Sequence, residues 1–169
     1  VPHAIVLSGN IPVFVDCASD SYNMDYDLLE GSVTEKTRVI IPTHLWGYAM
    51  DVHRVDAIAK RAEEKYGHKI YVIQDAAHSY GTLWKGELVT AYGDAAIFGS
   101  NISKLMTSVF GGMVTTKDPK TQALLQEYRS KTFKKDNLKS LKRLVYLIEI
   151  NPDFNSNNNG FFNWFQHIW

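Results

Sequence analysis

Three short apolar runs within residues 69–116, each bounded by small residues, constrain this chain more than any other feature. Ile70, Tyr71, Val72 and Ile73 form a run with no polar alternation, which is the pattern of a strand buried on both faces in a mostly parallel sheet. Its carboxyl end delivers Asp75, followed by Ala76, Ala77, His78 and Gly81. The next run, Ala95 to Phe98, delivers Gly99, Ser100 and Asn101, with Lys104 just beyond. The third is entered through Gly111 and Gly112 and continues to Thr116. In open α/β sheets ligands sit beyond the carboxyl ends of the strands, so an acid and a lysine at strand ends point to one place.

The segments around these strands alternate helix and strand. Val52, Val55, Ile58, Ala59, Ala62 and Tyr66 recur at three- and four-residue spacing and predict a helix over 51–66. Asp51 is placed to cap it and Gly67 to end it. Together with the Ile70 run this makes a β-α-β crossover, expected to be right-handed. Upstream, Ala4–Leu7 reads as a buried segment, Pro12–Asp16 as a strand, Met24–Val33 as a short helix and Thr37–Pro42 as a strand. Asp16 reads as a turn or cap residue or, less well, a site residue. His44 ends the second of those strands as either a hydrogen-bonded structural histidine or a site-lining one, and Trp46 reads as a packing residue. Downstream, 86–93 reads as a hairpin or loop, Asp118–Lys131 as a helix opened by an Asp-Pro pair, and Leu138–Ile150 as another helix. An asparagine-rich loop over 151–159 and a strongly aromatic tail over 161–169 follow. So aromatic an end is expected to pack on a missing domain, a partner subunit or, less well, a membrane surface.

An acid and a lysine so placed suit a pyridoxal phosphate site. There a lysine amine forms a Schiff base with the cofactor aldehyde, and an aspartate holds the pyridine nitrogen protonated as an electron sink. The bland alternatives are a solvated lysine and, for Asp75, a cap on the 76–80 turn.

The stretch QDAAHSYGTLWKGELVTAYGDAAIFGSNISKLMTSVFGG resembles the DegT/StrS-type sugar aminotransferases, a branch of the aspartate aminotransferase (fold type I) superfamily. Those proteins carry E-D-x-A-Q/H-x-x-G, then K-G, G-D before a strand, and S-F-x-x-x-K followed by G-G. Asp75, His78, Gly81, Lys85-Gly86, Gly93-Asp94, Lys104 and Gly111-Gly112 fall in register. The segments from Gly9 to Asp16 and from Ile40 to Gly47 are similar to the family's G-x-x-P-V-F-V-D strand and its strand ending in H-x-x-G. The likeness covers residues 1 to about 130.

The resemblance implies a three-layer α/β/α sandwich with a mostly parallel mixed sheet, part of the pyridoxal-phosphate-transferase large domain over residues 1–130, with a divergent helix, loop and tail over 131–169. It implies that Lys104 carries the Schiff base and moves the substrate proton, and that Asp75 pairs with the pyridinium nitrogen. His78 would contact the ring or its phenolic oxygen, and Ser100 and Asn101 would reach the phosphate. The implied reaction moves an amino group, from glutamate, onto a nucleotide-linked keto sugar in a cytoplasmic homodimer. Two departures stand out. Gly99 occupies the family's serine position, which displaces or removes that phosphate contact, and Lys131–Ile150 replaces a G-x-N-Y-R element whose asparagine reaches the neighbouring subunit's cofactor. Family members also carry a further segment ahead of Val1, so the chain reads as an internal fragment, expected to be nearly inactive alone.

Other readings remain at this stage. A sugar dehydratase of the same family has histidine where Lys104 stands. A cofactor-binding or regulatory member that has lost transamination fits Gly99 and the altered helix. A nucleotide-binding α/β domain lacks support, because no G-x-G-x-x-G follows a strand. Composition narrows partners further: Lys plus Arg and Asp plus Glu both total 18, so no basic field invites nucleic acid. The single Cys17 excludes an internal disulfide and suits a reducing compartment, no metal site is expected, and no apolar run is long enough to span a bilayer.

Overall fold

A computed structural model of the chain describes residues 1–101, 104–106, 108, 111–133, 138 and 142. The chain forms two compact units, Val1–Gln122 and Ala123–Trp169.

The first unit opens with α1, Pro2–Leu7, whose proline sits in the first turn where no N–H is required. None of its residues is buried and Leu7 is 88% exposed, which corrects the expectation of a buried segment at Ala4–Leu7. The expected strand Pro12–Asp16 is also absent. The chain there forms no ladder, and its nearest pairing is the isolated antiparallel bridge between Cys17 and Met24. Val15 packs on the core while Ile11, Val13 and Phe14 face outward. A strand exists only where a neighbour accepts its hydrogen bonds, and among the described residues none lies beside this one. Asp16 takes the turn role read for it, its Oδ1 accepting from the Cys17 N–H at 2.8 Å.

Helix α2, Tyr26–Ser32, starts at Asp25, whose side chain accepts from the Asp27 and Leu28 N–H groups. Strand β1 is limited to Val39–Ile40. Its ladder stops at Pro42, which has no N–H to give, and pairing returns only as a bridge between Thr43 and Asp75. Helix α3, Val52–Tyr66, has the predicted ends: Asp51 accepts from the His53 and Arg54 N–H groups, and Gly67 closes it in the left-handed conformation. Strand β2 is Tyr71–Asp75. The hairpin of β3, Leu83–Trp84, and β4, Glu87–Leu88, turns through Lys85 and Gly86, both at positive φ, as two-residue hairpin loops require. Strands β5, Ala95–Gly99, and β6, Gly112–Thr116, complete the set.

The sheet has the order β1-β2-β5-β6, with β1, β2 and β5 parallel and β6 antiparallel. The fold is therefore the expected α/β type with a mostly parallel, mixed sheet. The register pairs Asp75 with Ile97 and Gly99 with Gly112, so the carboxyl ends of β2 and β5 and the start of β6 share one edge. Leu29 of α2 and Val55, Ile58, Ala59 and Ala62 of α3 pack with Ile40, Ile70 and Val72 to make the core. Complete burial on both faces of β2 is not observed. Val72, Gln74 and Asp75 are buried, whereas Tyr71 is 48% exposed, on the face opposite the one that Ile70 and Val72 turn to the core.

Helix α4, Pro119–Thr132, begins at Asp118, whose carboxylate accepts from the Lys120 and Thr121 N–H groups. Of the helix expected at Leu138–Ile150 only Leu138 and Lys142, both helical, are described. The asparagine-rich loop and the aromatic tail lie outside the described residues.

Candidate active site

At the shared strand edge lies a cavity of about 460 Å³. Ala76, Ala77 and His78 after β2, Gly99 and Ser100 at the end of β5, and Lys104 all line it. Of the residues singled out from the sequence, Lys104, His78 and Ser100 therefore face one space, and Asp75 and Asn101 do not line it. Asp75 is 5% exposed, and its Oδ1 accepts from the Ala77 N–H at 3.0 Å. It thus fixes the turn that carries the cavity wall. The Asn101 carbonyl accepts from the Lys104 N–H at 3.0 Å.

The loop carrying Lys104 is folded back on Ser100. The Ser100 N–H donates to the Gly111 carbonyl and the Ser100 carbonyl accepts from the Ser108 N–H, both at 2.9 Å. Two glycines make this possible. A Cβ on Gly99 would sit 3.3 Å from Ala77 Cβ and 3.4 Å from Lys104 Cε, a tight fit, so the missing side chain eases the approach of the lysine arm. A Cβ on Gly112 would come within 2.9 Å of the Phe98 carbonyl oxygen, too close for the β5–β6 pairing to survive unchanged.

Behind Asp75 stands a buried polar network. His44, Gln74 and Ser79 are all essentially inaccessible. The His44 N–H donates to the Asp75 carbonyl at 3.1 Å, and the Asp75 N–H donates to the Pro42 carbonyl at 2.9 Å. On the imidazole, Nδ1 accepts from the Met50 N–H at 3.0 Å, which leaves the proton on Nε2, donated to Gln74 Oε1 at 2.9 Å. Burial pushes the His44 pKa down, against smaller opposing effects of the Gln74 hydrogen bond and the Asp75 charge, so the ring is neutral. The two readings of His44 thus resolve to a hydrogen-bonded structural residue holding the strand end that carries Asp75. Gln74 stands where the family pattern has glutamate, and a neutral amide matches a neutral imidazole. Gln74 Nε2 has no partner among the described residues.

Trp46 departs from its expected packing role. It lines the cavity, is 61% exposed, and has φ 51 and ψ 30. A left-handed conformation costs a bulky residue roughly 1–2 kcal/mol, so the surrounding turn must impose it. The only cue in the sequence was a Trp-Gly pair beyond the carboxyl end of a strand. Tyr80 and Phe98, in edge-to-face contact at 5.9 Å between ring centres, and Leu105, Met106 and Met113 complete an apolar rim that strand patterning did not reveal. Among the described residues no group of three or more His, Cys, Asp or Glu side chains is placed to hold a metal ion, and no helix is long and apolar enough to cross a membrane.

Comparison with known proteins places this geometry. The sequence matches the DegT/DnrJ/EryC1/StrS aminotransferase family over residues 1–157. GDP-perosamine synthase of Caulobacter vibrioides is 32% identical over 127 residues, which cover 75% of this chain and 33% of that protein. The pleiotropic regulatory protein of Geobacillus stearothermophilus is 39% identical over 116 residues, covering 68% of this chain and 30% of that protein. Among solved structures, a putative sugar aminotransferase of Streptococcus pneumoniae in its PMP form superposes with a TM-score of 0.70 at 30% identity, over 82% of this chain and 39% of that one. DesI in the presence of its TDP-sugar product gives a TM-score of 0.67 at 29% identity, over 76% and 31%. The chain thus spans about a third of the length of the curated relatives it matches. By sequence match and by fold, this chain belongs to the DegT/DnrJ/EryC1/StrS aminotransferase family.

Proposed function

We propose that the natural full-length protein is a pyridoxal-phosphate-dependent aminotransferase that moves an amino group, from glutamate, onto the keto carbon of a nucleotide-linked sugar. The observation that carries this reading is Lys104 lining the cavity at the ends of β2 and β5, its Cε beside a Gly99 that has no side chain to obstruct it. The residues fit the cofactor. The amine lies in a space of about 460 Å³ walled by small and apolar residues, and a buried acid stands at the adjoining strand end. When bound, pyridoxal phosphate supplies an aldehyde that condenses with amines and a ring that accepts electron density.

The protein's own groups then divide the work. Lys104 would hold the cofactor and move a proton at the substrate carbon bearing the nitrogen. Asp75, outside the cavity lining but at the adjoining strand end, would be the acid for the pyridine nitrogen, with Oδ1 engaged by Ala77 so that the turn orients the group. His78 and Ser100, which line the cavity, would contact the ring and the phosphate, and Asn101 would add to the phosphate side from the adjoining loop. The apolar rim excludes water, which strengthens each of these polar contacts. A homodimer in the cytoplasm is the assembly and compartment we infer, and the free, exposed Cys17 suits reducing conditions.

The full-length protein purified with pyridoxal phosphate is expected to show a visible absorbance band that bleaches with glutamate. Lys104→Ala is expected to abolish the band's response and to lower turnover by about a thousandfold or more. A protein that holds no cofactor, or a band indifferent to both lysine and glutamate, would overturn the proposal. That result would favour a regulatory reading, to which the relative named as a pleiotropic regulatory protein lends support.

A further inference from the structure

Trp46 combines three properties that packing does not explain: a left-handed backbone, an exposed ring and a place in the wall of the cavity that holds Lys104. Glycine would take that backbone conformation without cost, so the turn itself does not call for tryptophan. The surroundings hold it there from both sides. The hydroxyl of buried Ser79 donates to the His44 carbonyl, Thr82 Oγ1 donates to the Gly47 carbonyl at 3.3 Å, and Asn23 Nδ2 donates to the Tyr48 carbonyl at 3.2 Å. Tyr22 meets the indole edge to face, 4.9 Å between centres and 76° between planes, which steadies the ring. A bulky side chain kept in this conformation by so many contacts belongs to the class of strained residues that cluster at ligand sites.

We propose that Trp46 is a specificity-determining residue whose indole face stacks on the apolar C–H face of the sugar ring of a nucleotide-linked sugar. This rests on the aminotransferase reading for the nature of the substrate. Reach selects the sugar over the base, because Trp46 and Lys104 line the same cavity. The sugar must bring its keto carbon to the lysine side of this space, so the sugar is the unit within reach of a residue in the same wall. The base lies beyond the diphosphate. Trp46 offers a large, rigid apolar surface that loses little freedom on binding.

The test is calorimetric titration of the full-length protein with GDP-mannose, UDP-N-acetylglucosamine and TDP-glucose, each against its free nucleoside diphosphate. Trp46→Gly removes the ring and relaxes the backbone, so a loss of binding is not a loss of the turn. Trp46→Phe keeps an aromatic face. At least one sugar nucleotide is expected to bind more tightly than its free diphosphate. Trp46→Gly is then expected to weaken it about tenfold or more, with the free diphosphate changed by less than about twofold and Trp46→Phe within about threefold of the parent. Equal losses for sugar nucleotide and free diphosphate would assign Trp46 to the base and overturn the proposal. So would binding indifferent to Trp46, or no preference for the sugar nucleotides. The titration does not read the absorbance band, so the two proposals fail separately. Trp46-dependent binding without a Lys104-dependent band defeats only the aminotransferase reading, and a normal band with Trp46-independent binding defeats only this one.

Discussion

At the scale of single residues, His44 shows how the protein spends burial on orientation. Its ring is enclosed, neutral and committed at both nitrogens, and its main chain holds the carbonyl of Asp75. Burial lowers the folded-state pKa below the ordinary histidine value. The unfolded chain therefore binds a proton that the folded one refuses, and stability rises with pH through that window. The contribution is fully present above the unfolded value of about 6.5 and is lost as pH falls below it toward the folded one. Thermal melts between neutral and mildly acidic pH should show a falling midpoint, and His44→Asn, which keeps an acceptor for Met50 but cannot protonate, should flatten the fall. Identical pH slopes in the two proteins would show that His44 is not the titrating group. Gly99 makes a complementary point: the residue that replaces the family pattern's serine lies against the lysine arm, where a Cβ would come 3.4 Å from Lys104 Cε.

Elements are settled by their ends as much as by their faces. Helix α3 buries Val52, Val55, Ile58, Ala59 and Ala62 along one stripe and is started by Asp51 and stopped by Gly67. It supports β1 and β2 from one side and so fixes the strand edge on which the site is built. Asp51→Ala removes an acceptor from the His53 and Arg54 N–H groups and should cost about 1 kcal/mol in a denaturant melt, without moving the site. Ile58→Ala, in the middle of the stripe, should cost about 2–5 kcal/mol by cavity formation. A cap variant as costly as the core variant would contradict this division. The ion pairs of Arg54 with Asp27 and of Arg61 with Glu30 join α3 to α2 on the surface, where solvent screening leaves them little weight in stability.

For the whole molecule, the exposed apolar residues carry the most information. Leu7, Ile11 and Phe14 are 88%, 87% and 75% exposed, an unusual concentration within one short segment of chain. The chain as it stands should bind an apolar dye such as ANS strongly, and Ile11→Thr with Phe14→Ser should reduce that signal by about half without lowering the melting midpoint. Unchanged dye binding would mean that the apolar surface lies elsewhere. Phe14 also belongs to the segment where a strand was expected, Pro12–Asp16. Val13, Phe14 and Val15 are residues a strand would use, yet pairing depends on a neighbour that residue preference cannot supply.

The sequence by itself determined β2, β5, β6 and α4 in their order, both ends of α3, and the strand-end positions of Asp75 and Gly112 with Lys104 beyond β5, whereas the hairpin it placed at 86–93 lies at 83–88. These follow from local physics: apolar periodicity, a carboxylate that can cap, and glycines where the backbone needs positive φ or close approach. Tertiary structure alone decided what depends on residues far apart in the chain. It brought the left-handed Trp46 into the cavity wall, resolved His44 as the neutral partner of Gln74, left Asp75 gripping its own turn outside the cavity lining, and denied a ladder to Pro12–Asp16. Burial, tautomer and strand pairing are properties of neighbours. His44 and Gln74 stand 30 positions apart, beyond the reach of any local sequence pattern, and only the fold makes the contact that joins them in one network.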